Sequence, residues 1–259
     1  MRQPLAYIHP DSNVADNVVI EPFTTIDKNV TIGEGTWIGS NVTIMEGATI
    51  GKNCRIFPGA VISAIPQDLK FQGEKSSVEI GDDTTIREFV TINRGTKSKG
   101  KTIIGSNSLL MAYVHVAHDC IIGDNCVIVN SVQIAGEVIV EDWAIVGGTS
   151  AIHQFVHIGK HSIVSGGSLV RKDVPPYIKA GREPLAYEGI NSIGLRRRNF
   201  SNEKINEIQD LYRLIFSNKM NVTQAFQYIE ANMKATPERD EILLFLRNSS
   251  RGIIKGYFE

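Results

Sequence analysis

Large aliphatic residues recur at every sixth position over most of the chain. The step of six is unbroken over residues 8–62, 80–92 and 104–170. These runs hold 25 slots, and every slot is Ile, Val or Leu. An amphipathic helix repeats at about 3.6 residues and a half-buried strand at about 2, so a period of six fits neither element.

The remaining positions of each six-residue unit, or hexad, support a regular coil. Glycine often follows the aliphatic slot, as in Ile32-Gly33 and Ile122-Gly123, and a small or β-branched residue often lies four positions after the slot. Two side chains in six thus point inward, and the residues between them turn a corner where Gly, Asn and Asp are tolerated. The pattern predicts a mainly β solenoid with one hexad per flat face and with parallel stacking.

The register breaks twice. Positions 68, 74 and 98 hold Asp68, Glu74 and Ser98, which cannot line an apolar core without partners. Loops are therefore predicted at about residues 64–77 and 96–102. Insertions in a solenoid tend to collect on the binding face, so the first loop is expected to bind substrate, with a tolerated surface loop as the alternative. The second loop is rich in lysine and is interpreted as a solvated tip.

The repeat stops after Val170, where Pro175 and Pro176 remove backbone donors. Residues 1–177 are predicted to form the solenoid, and residues 178–259 an irregular segment up to about residue 200 followed by a helical cap. Three apolar stripes with helical spacing predict three helices. The stripes are Ile205, Ile208, Leu211, Tyr212 and Ile215; Val222, Ala225, Phe226, Ile229 and Met233; and Ile242, Leu243, Phe245 and Leu246.

Composition excludes several function classes. A formal net charge of -1 gives no reason to expect duplex nucleic acid as a partner. No apolar run approaches the ~20 residues of a membrane span, and residues 1–7 lack the hydrophobic core of a signal peptide, so a cytoplasmic protein is expected. Cys54, Cys120 and Cys126 are interpreted as small buried thiols. No metal and no cofactor are expected.

The segment from His115 to Cys120 carries two histidines and a carboxylate at positions where the repeat does not require them. His118 lies two positions after the slot Val116, at a corner directed away from the core, and Asp119 follows it. A carboxylate beside an imidazole can orient the ring and favour its protonated form, as general base catalysis requires. His118 is a candidate base, and a solvated surface histidine is the alternative.

The chain resembles the UDP-N-acetylglucosamine O-acyltransferases, a family of hexapeptide-repeat acyltransferases, over nearly its whole length. Four motifs in order and spacing carry the resemblance: Pro66-Gln67-Asp68-Leu69-Lys70, His115-Val116-Ala117-His118-Asp119-Cys120, Ile152-His153-Gln154-Phe155 and Asp173-Val174-Pro175-Pro176-Tyr177. The resemblance implies a left-handed parallel β-helix of triangular section with a C-terminal α-helical cap, assembled as a homotrimer. It also implies transfer of an (R)-3-hydroxyacyl group from acyl carrier protein to the 3-hydroxyl of UDP-N-acetylglucosamine.

The same resemblance assigns roles to individual residues. His118 would be the general base, Asp119 would hold its ring, and the backbone N–H of Gly136 would meet the oxyanion. One coil of eighteen residues leads from His118 to Gly136 and then to Gln154, so these three residues are expected to stack along one edge. The resemblance implies substrate-binding roles for Gln67, Asp68, Lys70, His115, His153, Gln154, Gly166, Asn191, Arg197 and Arg198.

The candidate binding residues divide by ligand. The first-loop residues Asp68 and Lys70 would contact the sugar or its phosphates, and His153 and Gln154 would line the acyl or pantetheine groove. At least one arginine of the run 196–198 would bind the diphosphate, because a guanidinium fork suits phosphate oxygens; docking of the acidic carrier protein and a solvated basic run are the alternatives. Gly166 would leave room for a long acyl chain. His157 and His161 are interpreted as ordinary surface residues, and His9, beside Pro10 in the first coil, as structural.

The chain departs from the family pattern at three positions. Glu137 and Asn93 stand where well-known members carry histidine, and Ile193 stands where an acidic residue would contact the nucleotide. Three other functions remain as alternatives. They are a related N-acyltransferase acting on an amino sugar, a zinc-dependent hexapeptide-repeat carbonic anhydrase with ligands such as His115, His118 and His153, and a scaffold solenoid without activity.

Overall fold

The computed structural model describes residues 4–216 and 220–256, in which short strands stack into three sheets. Residues 1–3, part of the segment used above for the leader prediction, lie outside the described residues. One strand occupies each aliphatic slot: β1 (Tyr7–Ile8), β2 (Asn13–Val14), β3 (Val19–Ile20), β4 (Thr25–Ile26), β5 (Thr31–Ile32), β6 (Trp37–Ile38), β7 (Thr43–Ile44), β8 (Ala48–Ile50), β9 (Arg55–Ile56), β10 (Val61–Ala64), β11 (Ser77–Ile80), β12 (Thr85–Ile86), β13 (Thr91–Asn93), β14 (Lys101–Ile104), β15 (Leu109–Leu110), β16 (His115–Val116), β17 (Ile121–Ile122), β18 (Val127–Ile128), β19 (Gln133–Ile134), β20 (Ile139–Val140), β21 (Ile145–Val146), β22 (Ala151–Ile152), β23 (His157–Ile158), β24 (Ile163–Val164) and β25 (Leu169–Val170).

Every third strand belongs to the same sheet, so three hexads complete one coil. The first face runs from β1 through β4 to β25, the second from β2 through β5 to β23, and the third from β3 through β6 to β24. Neighbouring strands within each of these runs are parallel. The corners form three long edges: the first edge joins the first and second faces, the second edge joins the second and third faces, and the third edge joins the third and first faces. The fold is the predicted left-handed parallel β-helix.

The aliphatic slots build the core. Slot residues from Ile20 to Val170 are buried, whereas Ile8 and Val14 at the open end are partly exposed. Burying one such side chain contributes roughly 1.5–3 kcal/mol, so the stacked slots are the main source of stability. The position three after a slot takes a left-handed backbone, as at Asn29 (φ 55°) and Asn41 (φ 58°). Asparagine and aspartate tolerate this conformation better than most residues, which explains their frequency at the corners.

Both predicted loops leave the prism at the first edge. The first loop, residues 65–76, connects β10 of the first face to β11 of the second, and the second loop, residues 94–100, connects β13 to β14 in the same way. The parallel register continues on both sides of each loop, with Ile62 paired to Ile92 and Ile92 to Val116. The insertions therefore extend one edge without disturbing the stack.

The segment after Val170 is more regular than the sequence predicted. Strand β26 (Ile178–Gly181) adds to the third face, β27 (Ala186–Ile190) pairs antiparallel with it, and helix α1 (Ser192–Arg197) follows. The prediction of an irregular segment was wrong because these strands are held by pairing with the solenoid, which a local pattern does not reveal.

The three predicted helices are present. Helix α2 (Asn202–Ile215) is capped by Ser201, α3 (Val222–Asn232) by Asn221, and α4 (Pro237–Asn248) by Thr236 with Pro237 in its first turn. The buried face of α2 packs against β27, where the Tyr212 hydroxyl donates to the Pro176 carbonyl at 2.6 Å. Strand β28 (Lys255–Gly256) then pairs with β27. No helix in residues 4–216 and 220–256 is long and apolar enough to span a bilayer.

Two histidines interpreted as surface residues are packed under this C-terminal region. His161 is buried between the parallel rings of Trp143 and Tyr177. The ring of His157 lies 4.5 Å from that of Phe245 in α4 and bonds Glu141 at 2.7 Å. The surface interpretation was wrong because the hexad register shows which residues leave the core but not which of them the cap later covers.

Candidate active site

His118 lies at the first edge, in the corner between β16 and β17. It points away from the prism axis as predicted, yet only 9% of the residue is exposed. Its Nδ1 lies 2.8 Å from Oδ2 of Asp119, and its Nε2 lies 4.0 Å from Oδ2 of Asp68 in the first loop. The alternative of a solvated surface histidine is therefore wrong.

Asp119 holds the ring from a buried position. It occupies the left-handed corner position (φ 60°) that asparagine takes in other coils. Its carboxylate accepts hydrogen bonds from the amide nitrogens of Thr96 (3.0 Å) and Lys99 (3.1 Å) and from the Thr96 hydroxyl (2.6 Å). Its own amide donates to Oγ1 of Thr102 at 2.9 Å. Both the carboxylate and the backbone at this corner are thereby fixed.

These contacts set the ionisation of the Asp119 carboxylate. Burial acts to raise the pKa of Asp119, but the hydrogen bonds from Thr96, His118 and Lys99 outweigh it and leave this pKa below its usual value. The carboxylate is ionised at neutral pH and accepts the proton of His118 Nδ1. The Nε2 lone pair is then free to take a proton from a substrate.

The second loop has a solvated lysine tip, as predicted, but it also contacts the candidate site. Lys97, Ser98 and Lys99 are exposed, but Thr96 at the base of the loop is buried, and the loop backbone turns inward onto Asp119. The position of the insertion in the sequence could have indicated this contact. The insertion follows a slot of the first face, as His118 does, so both lie on the first edge.

Gly136 lies against the imidazole. The pairing of His115 with Gln133 and of Gln133 with Ala151 places His118, Gly136 and Gln154 in successive coils, which confirms the predicted stacking. A Cβ atom at Gly136 would stand 2.5 Å from both Cε1 and Nε2 of His118. Only glycine leaves room for the ring in this position.

The first loop brings one of its predicted residues close to the base. Asp68 is partly covered, and its Oδ1 accepts a hydrogen bond from the amide of Lys70 at 2.9 Å. Gln67 and Lys70 are exposed at the loop surface. The buried Asn93 donates to the Ile65 carbonyl at 2.8 Å, so this departure from the family pattern holds the base of the loop.

The other predicted histidines flank the base on the first face. His115 lies 2.7 Å through its Nδ1 from the Thr91 hydroxyl, and burial lowers the pKa of its imidazole, which is neutral at neutral pH. His153 is exposed, with Nδ1 3.1 Å from the carbonyl oxygen of Gln154. Each ring thus has its own partner, and no cluster of three or more His, Cys, Asp or Glu side chains suited to a metal occurs in residues 4–216 and 220–256.

Gly166 lies at the third edge, across the first face from His118. Its backbone stacks on that of Gly148 in the preceding coil, and a Cβ at position 166 would stand 3.1 Å from the Gly148 carbonyl oxygen. Gly166 and Gly167 are exposed. Neither residue therefore places a side chain on the third edge at this level of the prism.

The predicted nucleotide-binding residues near α1 are not beside His118. Arg198 stacks over Trp143 at 4.8 Å, which places it at the second edge, and Arg197 is exposed in the last turn of α1. Burial and the neighbouring Arg197 lower the pKa of Arg198. Its Nη1 is buried without a hydrogen-bond partner among the described residues. Within one chain, the second face of the prism therefore lies between these arginines and His118.

The predicted substrate-binding role of Asn191 does not fit its position. Asn191 is buried, its Oδ1 accepts from the amide of Gly194, and its Nδ2 donates to the His161 carbonyl at 2.8 Å. The side chain caps α1 and ties it to the prism. Ile193, by contrast, is exposed on α1, where it supplies no charge.

Comparisons with known proteins agree with this geometry. Residues 173–254 match the family described as Udp N-acetylglucosamine O-acyltransferase; Domain 2, and residues 29–64 and 101–136 match the bacterial transferase hexapeptide family. An acyl-[acyl-carrier-protein]--UDP-N-acetylglucosamine O-acyltransferase of Trichlorobacter lovleyi is 51% identical over 97% of this chain and 98% of its own. One from Chlorobaculum parvum is 60% identical over 74% of this chain and 73% of its own.

Solved structures are equally similar. A UDP-N-acetylglucosamine acyltransferase of Bacteroides fragilis superimposes with a TM-score of 0.96 and 53% identity, covering 98% of this chain and 100% of that one. The Francisella novicida enzyme gives a TM-score of 0.96 at 39% identity, covering 98% and 94%. The chain belongs to the UDP-N-acetylglucosamine O-acyltransferase family and is an acyltransferase.

Proposed function

We propose that this protein transfers an (R)-3-hydroxyacyl group from acyl carrier protein to the 3-hydroxyl of UDP-N-acetylglucosamine. The observation that carries the proposal is the His118–Asp119 pair, with the base free at Nε2 and Asp68 beside it. The name of the Trichlorobacter lovleyi relative, which matches over 97% of this chain, supports the choice of donor and acceptor.

The reaction follows from the geometry of the pair. His118 Nε2 removes the proton of the sugar hydroxyl as its oxygen attacks the thioester carbonyl. The new C–O bond forms, the C–S bond breaks, and the proton passes from the imidazolium to the departing thiolate of the carrier. A positioned general base typically supplies about 10²–10⁴-fold in rate.

Gly136 is the candidate oxyanion donor. It lies one coil from His118 and against the imidazole, so a thioester carbonyl within reach of the base is also near this backbone. A backbone N–H there would stabilise the charge that develops on the carbonyl oxygen.

The sugar nucleotide and the acyl chain would occupy different parts of the surface. Asp68, with Gln67 and Lys70 on the same loop, would contact the sugar and its phosphates, and His115 would border the sugar. His153 and Gln154, one coil beyond Gly136, would border the pantetheine or acyl groove. The bare backbone at Gly166 would admit the end of a long acyl chain.

We also propose that the working unit is a homotrimer with sites between neighbouring chains. Arg197 and Arg198 lie near the second edge and His118 lies at the first, so a site between neighbouring chains would bring the arginines of one chain to a ligand bound at His118 of the next. Leu69, at the tip of the first loop, is fully exposed and is the kind of apolar group that a neighbour would cover.

Mass spectrometry of the product tests the proposal. Purified protein is mixed with UDP-N-acetylglucosamine and a panel of 3-hydroxyacyl carrier proteins that differ in chain length. The predicted product is a nucleotide sugar that carries one added acyl group. Mild base should release this acyl group, as expected of an ester. An amide product formed from an amino sugar would favour the N-acyltransferase instead. No product from any donor would overturn the proposed reaction.

A further inference from the structure

The two loops at the first edge are joined to each other by one carboxylate. Glu74, near the end of the first loop, accepts a hydrogen bond from the amide nitrogen of Lys97 in the second loop at 2.9 Å. Its other oxygen accepts from the amide of Gln72 at 2.8 Å. Bonds from backbone amides, with that of Gln72 first, lower the pKa of Glu74, so the carboxylate that makes these contacts is ionised at neutral pH.

Each loop reaches the base from a different side. The first loop carries Asp68, whose Oδ2 lies 4.0 Å from His118 Nε2. The second loop carries Thr96 and Lys99, which bond the Asp119 carboxylate on the Nδ1 side of the ring. Glu74 therefore connects a group that faces the reacting nitrogen with the groups that set the orientation and tautomer of the same imidazole.

The second loop is also attached to the neighbouring coil. The Ser98 hydroxyl donates to Oε2 of Glu137 at 3.0 Å, and the Lys99 amine donates to the Asp119 carbonyl at 3.1 Å. Glu137, the departure from the family pattern next to Gly136, thus serves as an attachment point for this loop. The second loop is thus bonded to Glu74 through Lys97, to Glu137 through Ser98, and to Asp119 through Thr96 and Lys99.

We infer that Glu74 is a positioning residue that couples the substrate-contacting loop to the Thr96–Asp119–His118 chain, so that occupation of the first loop and alignment of the base are set together. The inference rests on the proposed function for the identity of the substrate. The coupling itself concerns side chains of this protein alone, and it can be measured without substrate.

Four variants separate this role from a general loss of stability. Glu74→Ala removes both acceptors, and Glu74→Gln retains one carbonyl oxygen for Lys97. Thr96→Val keeps the shape of the side chain and removes the hydroxyl bond to Asp119. Glu79→Ala is the matched control, because Glu79 in β11 pairs with Lys101 in β14, the two strands that follow the loops. Its loss removes a half-exposed carboxylate that bonds neither Thr96 nor Asp119 nor His118. Melting temperatures are recorded for all four.

The direct readout is the tautomer of His118. The chain has six histidines, so ¹⁵N-histidine labelling gives a small set of ring signals, and the His118→Ala spectrum assigns the relevant pair. At pH 8, wild type is expected to show an Nδ1–H tautomer with Nε2 unprotonated. Glu74→Ala and Thr96→Val should both shift this ring towards the mixture found for a free histidine, Glu74→Gln should shift it less, and Glu79→Ala should leave it unchanged.

Steady-state kinetics supply the second readout. Thr96→Val should lower kcat by roughly tenfold to a hundredfold and leave KM for the nucleotide sugar near wild type, because it acts on the orientation of the base. Glu74→Ala should lower kcat and also raise KM, because it releases both loops. A Glu74→Ala protein with wild-type His118 signals and wild-type kcat would overturn the inference, even if its KM or melting temperature changed. If wild type transfers no acyl group, the proposed function fails, while the tautomer measurement still decides the coupling.

Discussion

The imidazole of His118 rests against the backbone of Gly136, in the space that a Cβ atom at position 136 would fill. That atom would lie 2.5 Å from Cε1 and from Nε2, the nitrogen proposed to face the substrate. The carboxylate of Asp119 fixes the opposite side of the same ring at 2.8 Å. The base is therefore held between a residue with no side chain and a buried charge, and it has little freedom to turn.

Gly136→Ala should displace this ring. A methyl group at 2.5 Å must push the imidazole away from its position, and misplacement of a catalytic group by about 1 Å can cost on the order of 10²-fold in rate. We expect kcat to fall by about that factor. Gly39→Ala is the control, since its Cβ meets side chains of Pro58 and Trp37 at 3.0 Å far from His118. Equal loss of activity in both variants would contradict the special role of Gly136.

Asp119→Asn should change how stability depends on pH. The pKa of Asp119 is lowered in the folded chain, so its contribution to stability is full at neutral pH and is lost as the pH falls through that lowered value. The amide group that replaces the carboxylate would also face donors of Thr96 and Lys99 that it cannot fully satisfy. We expect the free energy of unfolding to drop by about 1–3 kcal/mol at pH 7.

Denaturant unfolding at fixed protein concentration measures this effect. The difference between wild type and Asp119→Asn should shrink as the pH is lowered below the usual carboxyl range. Asp16→Asn, at a corner of the first coil, should show no such trend. A difference that stays constant from pH 7 into acid would contradict the ionised state assigned to Asp119.

His161→Phe should stabilise the protein in mild acid. Burial lowers the pKa of His161 to about 4, and the charges of Arg198 and Lys160 add to this effect. Below the usual histidine pKa, the unfolded chain therefore binds a proton at His161 that the folded chain does not bind. Wild-type stability is therefore lost as the pH falls from about 6.5 towards about 4. Phenylalanine keeps the stack between Trp143 and Tyr177 and does not titrate. The variant should resist urea better than wild type at pH 5, with a smaller gain at pH 7.5; a larger gain at pH 7.5 than at pH 5 would refute this explanation.

Gly166→Met should shorten the preferred acyl donor. A side chain at this exposed position would project from the third edge, where the end of the acyl chain is proposed to lie. The same assay with carrier proteins of different acyl length reports the preference. Ser40→Met changes the same hexad position several coils away and should have no effect. An unchanged length profile for Gly166→Met would remove Gly166 from the acyl groove.

The fold could be predicted from the chain because its physical cause is local and repeated. The same corner geometry recurs in every hexad, so each aliphatic slot, such as Ile122 or Ile158, points into the core and is buried there. The loops could be located because Asp68 and Ser98 cannot replace an isoleucine in that core. The stacking of His118, Gly136 and Gln154 followed from the same count.

What the chain did not reveal depends on contacts between distant segments. Thr96 and Glu74 look like ordinary loop residues until the first edge brings the second loop against Asp119 and the two loops against each other. His161 looks like an exposed corner until the C-terminal region covers it, and Asn191 looks available until it caps α1. Hexad periodicity determines which residues leave the core, but only the folded chain shows what they meet outside it.

Removal of the imidazole tests the central claim most directly. Acyl transfer to UDP-N-acetylglucosamine is measured in a single turnover for wild type, for His118→Ala and for His9→Ala, which removes a histidine from the first coil, where its Nδ1 bonds the Asp11 amide. We predict that His118→Ala loses about 10²–10⁴-fold in rate while His9→Ala keeps wild-type activity. A His118→Ala protein that still transfers the acyl group at the wild-type rate would contradict the assignment of His118 as the base.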